Sequence, residues 1–118
     1  MNLNPETIQQ IIVVDWVKQC TDLPIIHIAN ERGCSFQQGK TLKRMGVLSG
    51  VSDLFIPRAT KNRHGMFLEL KTLKGKLTRN QIKFIDDMNK EGYYALAAYG
   101  SDNAIAIIKD FYEINIKI

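Results

Sequence analysis

Two short apolar stretches of this 118-residue chain carry charged side chains that a hydrophobic core would not select. Residues 50–56 contain Asp53, and residues 66–72 contain Glu69 and Lys71. Both stretches are typical of buried strands, and the alternation of side chains along the second places Glu69 and Lys71 on one face. A desolvated carboxylate costs on the order of several kcal/mol unless a cation or a hydrogen-bond donor meets it. We therefore expect positive charge beside Asp53, and a divalent metal ion is the strongest candidate.

Basic residues are concentrated around these acids. Between residues 40 and 83 the chain holds eleven Lys and Arg residues, while Asp53 and Glu69 are the only acids. A solvated basic face is the usual interpretation of such a charge run, but the exclusion of other acids favours a surface that binds a phosphate backbone. The candidate nucleic-acid-binding residues are Lys40, Lys43, Arg44, Arg58, Lys61, Arg63, Lys74, Lys76 and Arg79.

Length and composition predict one soluble domain over residues 1–118. No apolar run approaches the roughly 18 residues that span a bilayer, and the first residues lack the features of a signal peptide, so we expect an intracellular, cytoplasmic protein. Cys20 and Cys34 fit that compartment as free thiols. Together with His27 and His64 these cysteines could in principle bind zinc. The sequence contains no CxxC or HxxxH spacing, however, so a zinc site is not expected.

The hydrophobic periodicity predicts eight elements. They are a helix from Pro5 to about Cys20, a strand at 23–29, a short helix at 36–45, strands at 50–56 and 66–72, a helix between Thr78 and Gly92, a strand at 93–99 and a helix at 104–112. A hairpin-like central pair followed by a strand–helix–strand crossover implies an α/β fold with a mixed central sheet flanked by helices.

Within these elements, helical spacing predicts which apolar side chains face the core. The predicted buried residues are Ile8, Ile11, Ile12 and Trp16 in the first helix, Leu42 and Met45 in the second, and Ile82, Ile85 and Met88 in the third. Asn4 is the expected N-cap of the first helix, and Thr78 with Gln81 forms a capping box for the third.

Four segments together resemble the VRR-NUC family of the PD-(D/E)xK nuclease superfamily, in its standalone phage and bacterial form. They are residues 50–53, residues 68–71, the run from Lys74 to Gln81, and the step at residues 92–93. The resemblance extends from Glu6 to the last strand. Ser52 departs from the superfamily pattern, which has proline before the motif aspartate.

The resemblance implies a restriction-endonuclease-like core and a metal-dependent endonuclease that hydrolyses DNA. Asp53 and Glu69 would hold one or two Mg²⁺ or Mn²⁺ ions, which prefer oxygen ligands, and the backbone carbonyl of Leu70 would be a further ligand. Lys71 would position or polarise the attacking water and stabilise the developing negative charge.

The family pattern also implies roles for residues outside the central strands. It places an acid in the first helix, here Glu6, and a glutamine at the start of the helix after the second strand, here Gln81. His27 and Asn30 match positions that are often polar and would face a cleft at the end of a strand. Glu6 also has a purely structural interpretation, at the positive end of a helix dipole, as Gln81 has in its capping box.

The expected substrate is branched DNA such as a Holliday junction or a flap, because no recognition domain is present to read bases. The relatives imply a homodimer, whose two sites would suit paired cuts, and a phage-encoded protein would act in the host cytoplasm. The alternative is a non-catalytic nucleic-acid-binding module. A structural protein with an internal ion pair between Asp53 and Lys71 ranks last.

Overall fold

The computed structural model describes residues 3–29 and 35–114, in which four helices and four strands are found. Their order along the chain is the predicted one. The elements are α1 (Pro5–Cys20), β1 (Ile26–His27), α2 (Phe36–Arg44), β2 (Leu54–Ile56), β3 (Met66–Lys71), α3 (Arg79–Lys90), β4 (Tyr94–Tyr99) and α4 (Ser101–Tyr112).

The sheet is mixed, with the strand order β1-β2-β3-β4. The pairs β1–β2 and β2–β3 are antiparallel, whereas β3 and β4 are parallel and joined through α3. The register places Leu54 opposite Leu68 and Glu69 opposite Ala97. The strand that carries Glu69 and Lys71, β3, is paired along its length with β4 and also with β2, so it is held on both sides.

Helices cover both faces of the sheet. On one face, Leu54, Leu68 and Leu70 form a core with Val13 of α1 and Ile108 of α4. On the other face, the rings of Phe67 and Phe84 of α3 meet edge to face at 5.2 Å. Because neither face of β3 is open to solvent, any charged residue in its second half is buried with it.

Two helix starts follow local sequence rules. At α1, the Asn4 side chain accepts a hydrogen bond from the Thr7 amide at 2.8 Å, and Pro5 occupies the first turn. At α3, Thr78 and Gln81 form the predicted reciprocal capping box. Both predictions are confirmed, because each depends only on residues within one helical turn.

The predicted buried face of α1 is wrong. Ile8, Ile11 and Ile12 are 42–44% exposed, while Val13 and Val17 are fully buried. The helix carries apolar residues on most of its circumference, so helical spacing alone does not decide which stripe meets the sheet. Trp16, also predicted in this stripe, does pack against the core, though only part-buried.

Two further core predictions are also wrong. Met45 is 76% exposed, because it caps the short α2, which makes no close contact with the other described helices and strands. Ile82 is 48% exposed, because the neighbouring Phe84 takes the buried position against the sheet. Leu42, Ile85 and Met88, which were also predicted to be buried, are only partly buried.

Three elements differ from the prediction by three residues or more at one boundary. The regular strands are shorter than expected, at Ile26–His27 and Leu54–Ile56, and α4 starts at Ser101 instead of residue 104. The early start of α4 has a long-range cause, since the Ser101 amide donates to Gln9 Oε1 at 2.5 Å. In the described ranges no helix combines the length and the apolar character that crossing a membrane requires.

Candidate active site

Asp53 lies immediately before β2, where it is fixed by neighbouring strands on both sides. Its Oδ2 accepts a hydrogen bond from the Leu70 amide at 2.9 Å. Its backbone carbonyl accepts one from the Ile28 amide, also at 2.9 Å. The carboxylate is therefore hydrogen-bonded directly to β3, at the end of the strand where Glu69 and Lys71 lie.

A cavity of about 280 Å³ opens beside this carboxylate. It brings together four residues that the sequence singled out, namely Glu6, His27, Asp53 and Leu70. Asn4, Thr7, Gln10 and Ile11 complete its wall. The first turns of α1 thus form one side of the cavity, and the strand ends form the other.

Gln10 and Thr7 were not singled out from the sequence, although a signal existed for one of them. Residues four apart lie on the same face of a helix, so Gln10 is placed beside Glu6 once that acid is assigned to a site. No comparable signal marks Thr7, whose amide is used in the cap of α1.

Glu69 and Lys71 are buried in β3, at 2% and 7% exposure. The basic turn around Gly75 covers Lys71, and a Cβ at this glycine would lie 3.2 Å from the lysine side chain. Within the described residues, the Lys71 ammonium makes no hydrogen bond or ion pair. The one fully buried side-chain polar atom without a partner in the described residues is the Ser52 hydroxyl, so the Lys71 ammonium, at the end of a buried stem, is within reach of solvent.

Gln81 is 7% exposed in the first turn of α3. Its Oε1 accepts the Thr78 amide at 2.8 Å, which completes the capping box. Its carboxamide nitrogen, by contrast, donates to no residue in the described chain. Since Phe84, one turn later, contacts Phe67 on β3, the first turn of α3 lies toward the Lys71 end of that strand.

The loop that leads into Asp53 is held against the start of α3. Asn80 Nδ2 donates to Ser49 Oγ at 3.1 Å. Gly50 has a φ of +90°, and a Cβ there would lie 2.5 Å from the Asn80 backbone, so only glycine fits this approach. Ser52 is 1% exposed, and its hydroxyl is a buried group with no hydrogen-bond partner in the described residues.

Six of the predicted nucleic-acid-binding residues lie on segments that border this end of the strands. All six are exposed: Lys40, Lys43 and Arg44 on α2, Lys74 and Lys76 in the turn after β3, and Arg79 at the start of α3. The contact between Ser49 and Asn80 joins the segment that follows α2 to the start of α3. The two basic groups therefore lie on segments that this contact joins.

The remaining three basic residues lie in the loop between β2 and β3, at the opposite end of the sheet. Arg58 bonds to Asp22 through its side chain at 3.4 Å, and Arg63 donates to the Tyr93 carbonyl at 2.8 Å. Lys61 is exposed. Two of these cations are thus engaged within the protein.

Tyr112 closes that far end of the sheet. Its hydroxyl donates to the Arg58 carbonyl at 2.9 Å and approaches the Ile56 carbonyl at 3.4 Å. Burial of the ring raises the pKa of Tyr112 to about 12, against a smaller lowering by the Arg58 charge. The length of β3, roughly 17 Å, separates this end from the cavity.

The alternative of a purely structural protein can be compared with these contacts. Asp53 and Lys71 form no ion pair in the described chain, which removes the main support for a purely structural role. Residues 3–29 and 35–114 also hold no cluster of three His, Cys or acidic side chains arranged around one point. Asn30, the second predicted cleft residue, lies outside the described residues, as does Cys34.

Comparison with known proteins identifies a family and a solved structure that are similar to this chain. The sequence profile of the VRR-NUC domain matches residues 3–102. A solved structure described as "VRR_NUC domain protein" superposes with a TM-score of 0.82 at 28% identity, covering 98% of this chain and 94% of that one. Among curated proteins, none matches the chain. The matched region contains every residue that lines the cavity.

Proposed function

This chain belongs to the VRR-NUC family of nuclease domains, and we propose that it is a metal-dependent endonuclease that hydrolyses DNA phosphodiester bonds. The observation that carries the proposal is the state of Lys71. The residue is 7% exposed and its ammonium, which is not a fully buried group, has no acceptor in the described chain, two residues from the buried Glu69 carboxylate. A scissile phosphate would supply such an acceptor, which gives a reason for keeping a cation at this position of the strand.

The residues at this end of the strands suit a hard divalent cation, with Glu69 buried in β3 next to Leu70 and outside the wall of the cavity. Asp53 and Glu69, with the Leu70 carbonyl, offer oxygen donors, and Asp53 is already oriented by the Leu70 amide. Mg²⁺ typically takes one or two protein carboxylates and completes its shell with water and substrate phosphate. Such a site does not require the three-residue cluster that the described chain lacks. Mg²⁺ or Mn²⁺ would therefore be held by these three residues.

A bound divalent ion supplies charge neutralisation at the scissile phosphate and polarises water. The protein's own residues do the rest. Lys71 would donate to the phosphate or the attacking water and stabilise the charge that develops. The unused carboxamide nitrogen of Gln81 is a second donor on the same side, and Glu6 adds a carboxylate to the wall of the cavity.

The DNA would lie across the exposed basic residues of α2 and of the turn before α3. These residues would contact phosphates, which fixes the duplex in place without reading its sequence. Arg58 and Arg63 contribute less, because their guanidinium groups already bond to Asp22 and Tyr93. Lys61 remains available in the same loop.

We further propose that residues 1–118 act as a single nuclease domain in a homodimer that prefers branched DNA and works in the cytoplasm. Paired sites across a twofold axis would suit symmetric cuts in a four-way junction. Ile8 and Ile12, the exposed isoleucines of α1 that do not line the cavity, give a homodimer apolar surface to bury. The alternative function, a non-catalytic nucleic-acid-binding module, uses the same basic surface but gives the acid pair no role.

A cleavage assay tests this proposal. Labelled four-way junction, flap, single-stranded and linear duplex DNA are incubated with the protein in Mg²⁺, Mn²⁺ or EDTA. We expect cutting that needs metal, that is fastest on branched substrates, and that falls roughly 100-fold or more in Asp53→Asn and Lys71→Ala. The matched control is Lys90→Ala, which removes an exposed lysine in the last turn of α3, outside the candidate site and the predicted DNA contacts, and should cut at nearly the normal rate.

The alternative predicts a different result. DNA binding that is tight, independent of metal and unaccompanied by cutting, in both the wild type and the two site variants, would support the binding module. Equal cutting of linear and branched DNA would retain the nuclease and remove the preference for structure.

A further inference from the structure

The hydrogen bond of His27 indicates which tautomer the neutral ring adopts. Its Nδ1 lies 3.0 Å from the backbone carbonyl oxygen of Asp53. A carbonyl only accepts, so Nδ1 must carry the hydrogen. In the neutral ring the other nitrogen, Nε2, then presents a lone pair. It has no hydrogen-bond partner in the described chain.

The ring lines the cavity beside Asp53. The strand register sets His27 opposite Leu54, one residue from Asp53, and the imidazole forms part of the wall together with Glu6. The other ionisable side chains of this wall are carboxylates, which accept hydrogen bonds and cannot donate to a lone pair. A cation bound beside them would accept an electron pair both from the Asp53 carboxylate and from the imidazole.

This hydrogen-bond pattern is the one that metal-binding histidines use. A ligating imidazole usually donates its second ring nitrogen to a carboxylate or a backbone carbonyl, which fixes the tautomer and the ring orientation. Here the accepting carbonyl belongs to Asp53, whose side chain is itself oriented by the Leu70 amide. One residue therefore positions both the carboxylate and the imidazole.

We propose that His27 Nε2 is a ligand of the divalent ion at Asp53, and that this nitrogen makes the site favour Mn²⁺ over Mg²⁺. The inference rests on the proposed metal-dependent function. It requires only that His27 and Asp53 share one ion, with backbone oxygen and water completing the shell, so it needs no preformed three-residue cluster. Imidazole nitrogen binds first-row transition ions better than it binds Mg²⁺, which prefers oxygen.

The test measures metal binding directly, without DNA or turnover. Mn²⁺ is titrated into the full chain by electron paramagnetic resonance, Mg²⁺ is added in competition, and pulsed measurements record nitrogen coupled to the bound Mn²⁺. The chain has two histidines, which makes the assignment simple. His27→Asn keeps a donor near the position of Nδ1 but removes Nε2. His64→Asn is the matched control, since His64 precedes β3 at the end away from the cavity.

We expect imidazole nitrogen coupling in the wild type and in His64→Asn, and its loss in His27→Asn. The Mn²⁺ affinity of His27→Asn should fall about tenfold, with a smaller fall for Mg²⁺, so that the preference for Mn²⁺ decreases. Thermal melting of the metal-free variants checks that both fold.

Two results would overturn the inference, and they differ in what else they remove. Mn²⁺ binding that depends on Asp53 but shows no imidazole coupling would reject His27 as a ligand and leave the proposed nuclease intact. The absence of any Mn²⁺ or Mg²⁺ binding that depends on Asp53 would reject the metal-dependent function as well.

Discussion

Replacing Asp53 by alanine or by asparagine separates the structural role of this residue from its chemical one. Both substitutions remove the same negative charge, so they relieve the same repulsion from nearby acids. Asparagine keeps a side-chain oxygen that can accept the Leu70 amide, whereas alanine leaves that amide without its partner. The difference in stability between the two variants therefore isolates one hydrogen bond.

The expected size of this difference follows from where the amide lies. Leu70 is 3% exposed, and a buried donor left unsatisfied costs about 1–3 kcal/mol. The adjacent cavity of about 280 Å³ admits water, which can replace part of the lost bond. We therefore expect Asp53→Ala to be less stable than Asp53→Asn by about 1–2 kcal/mol, or roughly 4–8 °C in melting temperature for a domain of this size.

Urea denaturation and thermal melting of the metal-free proteins measure this difference. Repeating them with Mg²⁺ tests the chemistry, because an ion that binds only the folded state raises its stability. The wild type should be stabilised by Mg²⁺ and neither variant should be. The reasoning would be refuted if the two variants differed by less than about 0.5 kcal/mol, which is the range of ordinary surface substitutions.

Three further predictions follow from buried or constrained groups. Ser52→Ala should raise the stability by about 1 kcal/mol in urea denaturation, because it removes a buried hydroxyl that has no partner in the described chain. Gly50→Ala should lower it by at least about 2 kcal/mol, since φ is +90° and a Cβ would overlap the Asn80 backbone; its cleavage rate should fall as Asp53 is displaced. Tyr112 should make stability depend on alkaline pH. Its pKa is raised to about 12 from 10.0, so the stabilisation is complete below pH 10 and is lost as the pH rises toward 12. Because the ring is only part-buried we expect a loss of about 1 kcal/mol, which Tyr112→Phe should abolish when both proteins are denatured at pH 8 and pH 11.

The features that the sequence predicted correctly depend on neighbouring residues. The caps at Asn4 and Thr78 involve partners within one turn, and the alternation around Glu69 identifies a strand from its own side chains. The order of elements and the mixed sheet follow from such local patterns together with the handedness and length of connections.

The features that it missed depend on contacts between distant residues. The start of α4 is set by a hydrogen bond to Gln9, which lies 92 positions away. The buried face of α1 was assigned to the wrong isoleucines because apolar side chains surround that helix, and only packing on the sheet selects Val13 and Val17. The cavity likewise combines the first turns of α1 with strand ends, which no local pattern reports.

The two ends of the sheet satisfy their polar groups to very different degrees. At the far end, the Arg58 guanidinium meets Asp22, the Tyr112 hydroxyl meets a carbonyl, and the Arg63 guanidinium meets another. At the cavity end, the Ser52 hydroxyl is fully buried without a partner in the described chain, and the ammonium of the largely buried Lys71 has no acceptor there.

Native proteins pair nearly all their buried polar groups, and departures from local rules tend to gather at functional sites. This contrast within one sheet supports the end that holds Asp53 as the candidate site. Under the proposed function, a phosphate group that accepts a hydrogen bond from Lys71 would have its negative charge stabilised at the place where the reaction adds more.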